Sequence, residues 1–131
     1  MISEDYCSYE VAKLLKEKGF DEPCLQIWEC GPDKKYLFRL QSSCYQNITE
    51  EDSCLAPTHQ MTMKWLREKH KILITIIPQE VNIGVDRMCY AIYRITEDLY
   101  QPLYNGKIGN LVDSYEETVE AAIKYCLENL I

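Results

Sequence analysis

Both histidines of this chain lie in one short stretch, Ala-Pro-Thr-His-Gln-Met-Thr-Met-Lys-Trp-Leu-Arg-Glu-Lys-His, residues 56–70. Cys54 precedes it by two residues. Cysteine and histidine together raise two chemistries, a metal site and a thiol nucleophile with an imidazole base. The spacing argues against the first. His59 and His70 are eleven residues apart, which places them on one helix face but ~16 Å apart along its axis. A zinc–nitrogen bond is about 2 Å, so one ion cannot take both. A Cys54–His59 pair would need further ligands that nothing in the sequence supplies. No local signature of a catalytic thiol surrounds any of the seven cysteines. No catalytic residue, metal or cofactor is assigned on these grounds, and the chain is expected not to be an enzyme.

The same stretch carries charge. Lys64, Arg67, Lys69 and Lys71 fall within eight residues, opposed only by Glu68. In a chain of net charge −7, with 14 basic and 21 acidic residues, this is a local positive surface. It is either a solvated helix face or a seat for an acidic partner or an anionic ligand. A second constellation joins it. Tyr90 and Arg94 share one face of a strand, with Ile92 between them. An aromatic ring and a guanidinium on an open sheet face can stack and neutralise a nucleotide. The candidate ligand-binding residues are therefore Lys64, Arg67, Lys71, Tyr90 and Arg94.

Three helices are expected to carry these groups. The first runs from about Glu4 to Lys18, with Ser3 as N-cap, an apolar stripe at Cys7, Val11, Leu14 and Leu15, and Gly19 as the stop. The second starts at Pro57 and ends near His70. The third opens with a capping box at Ser114 and Glu117, followed by a stripe from Tyr115 to Leu130. Strands are expected at 25–30 and 35–40 as a hairpin around Gly-Pro-Asp-Lys, at 72–77 ended by Pro78, at 88–95, and in a short piece near 99–104. The segment 80–87 reads as a short strand or a hairpin arm. The polar run 41–54 reads as a loop, and Asn105-Gly106 as a tight turn. The order is α-β-β-α-β-β-(β)-α in one domain over residues 1–131. Hairpins imply antiparallel pairing, hence an α+β fold: a sheet of 4–5 strands with three helices packed mainly on one face.

Composition narrows the function classes. The chain is 131 residues long, 47% hydrophobic and 27% charged, enough for a packed core. Its longest apolar run, 72–78, is too short to span a bilayer. The acidic N-terminus lacks the pattern of a signal peptide. The odd number of cysteines fits reduced thiols better than a disulfide framework, and the sequon at Asn47 carries no meaning without secretion. The expected compartment is the cytoplasm. The acidic balance runs against general nucleic-acid binding.

The segments Ser8–Cys24, Ala56–His70 and Ser114–Ile131, about half of the chain, resemble a set of small uncharacterised proteins encoded by gut Bacteroidetes, their phages and other mobile elements. The resemblance implies a small cytosolic accessory protein of the kind phages and other mobile elements carry, and brings no catalytic residues. A second similarity, at Val-Ala-Lys-Leu-Leu-Lys-Glu-Lys-Gly-Phe and Met-Lys-Trp-Leu-Arg-Glu-Lys-His, is to the DNA-facing helices of excisionase-like winged-helix proteins. A helix-turn-helix joins its helices by 3–4 residues, whereas about 40 separate these. Two readings follow. The first is a non-enzymatic binding protein for a protein partner or a small, nucleotide-like anion. The alternative is a DNA-binding regulator using the 56–70 helix. A sheet face left uncovered at Leu37 and Ile92 would favour a homodimer.

Overall fold

In the computed structural model the described residues are 2–30, 35–39, 53–82, 85–105 and 114–131. Cys44, the Asn47 sequon, the Gly-Pro-Asp-Lys turn and Gly106 lie outside them. The elements are α1 (Tyr9–Glu17), β1 (Gln26–Cys30), β2 (Lys35–Arg39), β3 (Ser53–Leu55), α2 (His59–His70), β4 (Ile72–Asn82), β5 (Val85–Ile95), β6 (Tyr100–Asn105) and α3 (Tyr115–Asn129). Among the described residues the chain is α+β with three helices and antiparallel sheets. The strands form two sheets rather than the single one expected, ordered β2-β1-β3 and β4-β5-β6. The segment 53–55, which reads as loop by composition, pairs with β1 as a third strand, Trp28 opposite Cys54, and so fills the second edge of β1. The contacts divide the chain into two compact units, residues 1–59 with Ile131, and residues 60–130.

In unit 1 the N-terminal residues do not enter α1 at Glu4. They form a short antiparallel pairing instead. Tyr6 bridges Thr58, the Cys7 N–H donates to the Pro57 carbonyl, and the His59 N–H donates to the Asp5 carbonyl, both at 2.9 Å. The helix therefore starts later, and Ser8 rather than Ser3 is its N-cap, accepting from the Val11 N–H at 3.2 Å. Gly19, at φ +88, takes the left-handed turn after the helix, which glycine adopts without strain. Val11, Ala12 and Leu15 are buried, and α1 packs against β3.

In unit 2, β4 and β5 form a long hairpin, and β6 adds to the other side of β5. Here β4 runs through Pro78 instead of ending there. The Ile95 N–H donates to the Lys71 carbonyl at 2.7 Å, so odd-numbered residues of β4 turn their backbone groups toward β5. Even-numbered residues, Pro78 included, turn theirs away. Proline lacks only the N–H that β5 does not use. Helix α3 packs on β4 and β5 and begins at the expected Ser114 cap, whose Oγ accepts from the Glu117 N–H at 3.1 Å. Ala122, Ile123, Cys126 and Leu127 are its buried stripe.

Candidate anion-binding site

One residue joins α2 to β4. That residue is Lys71, at φ +56, the one non-glycine with positive φ among the described residues. A helix often ends on a left-handed residue, and glycine is the usual occupant because a Cβ there costs roughly 1–2 kcal/mol. Lysine bears that cost here. Its carbonyl is held by the Ile95 N–H, which fixes Lys71 against the end of β5. Arg94 is next along β5, opposite Ile72 on one side and Gln101 on the other. The last turn of α2 adds Arg67 and Lys69. Lys69 and Lys71 are exposed, and Arg67 and Arg94 are half-buried.

Of the five residues singled out from sequence, Lys71 and Arg94 thus lie at the same end of the second sheet, in successive register positions. Arg67 stands one turn before the end of α2 and shares that end. Lys64 stands farther back, about 10 Å along the helix axis from Lys71's end. Its ammonium is 3.9 Å from the Glu68 carboxylate, an exposed i,i+4 pair of small energetic value. The turn after Arg94 carries Glu97 and Asp98, both exposed, so the positive surface has an acidic border.

Tyr90 differs from expectation. It is only 6% exposed and does not offer an open ring. Its ring stacks on Tyr104 of β6 at 5.0 Å and 23°, and Tyr125 of α3 lies 6.2 Å away. Tyr104 and Tyr125 are 4.5 Å apart, completing the trio, and both are half-buried. Burial, then charge repulsion from the Tyr104 hydroxyl and the hydrogen bond with it, push the Tyr90 hydroxyl above the ordinary tyrosine range. Ile92, on the same face, is fully buried, so it does not leave that sheet face bare for a second copy. Tyr104 and Tyr125 were missed from sequence. The one available signal was that Tyr104 falls in the alternating pattern of a third strand in this sheet.

The histidines resolve separately. His70 meets Trp65 edge-on, with centroids 4.7 Å apart, and burial lowers its pKa from 6.5. His59 is buried, and Cys7 lies close to it, with the sulfur and a ring nitrogen within 4.8 Å. The pairing of 5–7 with 57–59 explains this. Cys7 lies opposite Pro57, so His59 is its diagonal neighbour on the same face. Cys54 is buried in β3, opposite Trp28. A thiol and an imidazole this close offer two donors, of the four that a structural zinc takes.

No helix among the described residues is long and apolar enough to cross a membrane. No protein-family model, curated protein or solved structure matches the chain.

Proposed function

We propose that this chain is a non-catalytic binding protein of the cytoplasm, and that the basic end of unit 2 seats the anionic group of a small ligand. The observation that carries this reading is Lys71, a lysine kept in a left-handed conformation and held by the N–H of Ile95, the residue after Arg94. Backbone strain of this kind tends to persist where the residue serves a purpose that glycine could not. Two cations from neighbouring segments, with Arg67 and Lys69 behind them, match a phosphate or carboxylate group. Among the described residues Cys7, Cys24, Cys54, Cys89 and Cys126 are buried, and buried thiols suit a reducing compartment.

Native mass spectrometry of protein purified from cells, before and after denaturation, tests whether a small anion is retained. Calorimetric titration with inorganic phosphate and with ATP then tests the site. Binding lost in Lys71→Glu and Arg94→Glu, with the circular dichroism spectrum unchanged, supports the reading. Binding that survives both changes overturns it. A gel shift with DNA that weakens steeply with salt would instead give α2 to nucleic acid.

A further inference from the structure

The pairing of 5–7 with 57–59 does more than delay the start of α1. It sets a thiol and an imidazole from the two ends of unit 1 side by side. The Cys7 Sγ and a ring nitrogen of His59 lie within 4.8 Å of each other. Both backbones are held in place. The Cys7 N–H donates to the Pro57 carbonyl, the Cys7 carbonyl accepts from the Trp28 indole, and the His59 N–H donates to the Asp5 carbonyl, each at 2.9 Å. Ser8, next to Cys7, caps α1. Cys7 is 0% exposed and His59 is 9% exposed.

We infer that Cys7 and His59 form a two-coordinate site for a soft monovalent ion, Cu(I). The inference stands apart from the anion reading. Three features select this ion. The first is the donor set. A thiolate is a soft ligand and an imidazole a borderline one, a pair that suits copper or zinc, whereas magnesium and calcium take oxygen. The second is geometry. Cu(I) is stable with two ligands in line, whereas a structural zinc closes a tetrahedron of four. At zinc-like bond lengths of about 2.3 Å to sulfur and about 2.0 Å to nitrogen, an ion between the two atoms sets them roughly 4.3 Å apart. That separation falls inside the observed limit of 4.8 Å. The third is charge. A thiolate and Cu(I) cancel, so the loaded pair buries no net charge. A divalent ion on the same two ligands would leave positive charge away from water. Binding exchanges the S–H bond for an S–Cu bond. One Cu(I) enters, one proton leaves the thiol, the imidazole lends a lone pair in its neutral form, and no electron is transferred. The strand pairing is short, so its local opening lets the ion reach the buried sulfur.

Anaerobic titration of the reduced full chain with Cu(I), in competition with bicinchoninate, tests this, together with X-ray absorption at the copper edge on the one-to-one complex. The expected result is one ion per chain, bound by one sulfur and one nitrogen, with one proton released on uptake. Cys7→Ser and His59→Asn should each weaken uptake by more than about 100-fold with the circular dichroism spectrum unchanged. Cys24→Ser, in the same unit, should leave the affinity as it was. Should either ligand variant fail to fold, the absorption spectrum of the native chain still decides. An all-sulfur ligand set overturns the inference, since it would put the ion on other cysteines. So does uptake that His59→Asn leaves intact, or a native chain that takes no Cu(I) from bicinchoninate at micromolar concentration.

Discussion

The indole Nε1 of Trp28 donates to the backbone carbonyl of Cys7 at 2.9 Å. This single bond ties the middle of β1 to the segment before α1, and the Tyr9 ring meets the same indole edge-on at 6.4 Å. Replacing Trp28 by Phe keeps an aromatic ring but leaves that carbonyl without its donor. The expected cost is about 1–2 kcal/mol, read as a lower urea midpoint with an unchanged slope. An unchanged midpoint would mean that water replaces the indole at no loss.

Lys71→Gly should act in opposite directions on stability and on binding. Glycine relieves the left-handed strain, so the chain should gain about 1 kcal/mol in thermal or urea unfolding. The same change removes one of the two cations, so titration with phosphate or ATP should weaken. A variant that becomes more stable and binds equally well would reduce Lys71 to a helix-end residue.

His70 makes stability depend on acid. Its pKa in the folded chain lies below the 6.5 of the unfolded chain because burial disfavours the imidazolium. Below pH 6.5 the unfolded chain therefore takes up a proton that the folded chain resists, and stability falls as pH drops from 6.5 toward the folded value. Above 6.5 this contribution is flat. His70→Gln should remove that part of the acid slope in urea unfolding measured between pH 7 and 5.

Tyr90 gives the mirror image at high pH. Its hydroxyl is raised by burial and by Tyr104, so the unfolded chain loses this proton first as pH climbs past 10.0. Stability should decline above that point. In a spectrophotometric titration, Tyr90 should ionise only as the chain unfolds. Tyr90→Phe should flatten the alkaline decline, and it also tests whether the Tyr90–Tyr104 hydrogen bond contributes at neutral pH. Beside it, burial pushes the Cys126 thiol up to about 12, which keeps it neutral through the same range.

The three helices and most strands were legible because each rests on local chemistry. Ser114 with Glu117, and the stripe at Val119, Ile123 and Cys126, announce α3 without reference to the rest of the chain. Ser8-Tyr9-Glu10 and Ser114-Tyr115-Glu116 look like a faint repeat, yet their likeness has a local cause, since each serine is an N-cap. What escaped the sequence depends on distant partners. Ser53–Leu55 becomes a strand because β1 has a free edge, and Glu4–Cys7 leaves the helix because 57–59 pairs with it. Pro78 reads as a strand end until the direction of its N–H is known. In the candidate site, Lys71 and Arg94 were visible as charges. Their juxtaposition was not, because it follows from the register of β4 against β5. The covering of Tyr90 was invisible for the same reason, since it needs both β6 and α3.

The pairing of Tyr6 with Thr58 joins residues about fifty positions apart, whereas the strands of unit 2 follow one another as hairpins. Long-range closure is the slower event. A chain emerging from the ribosome N-terminus first presents residues 1–59 together before any strand of unit 2 exists. The order of synthesis thus gives the slow closure of unit 1 a head start over the fast zipping of unit 2, and keeps the uncharged β4 segment out of reach while β1, β2 and β3 are still finding one another.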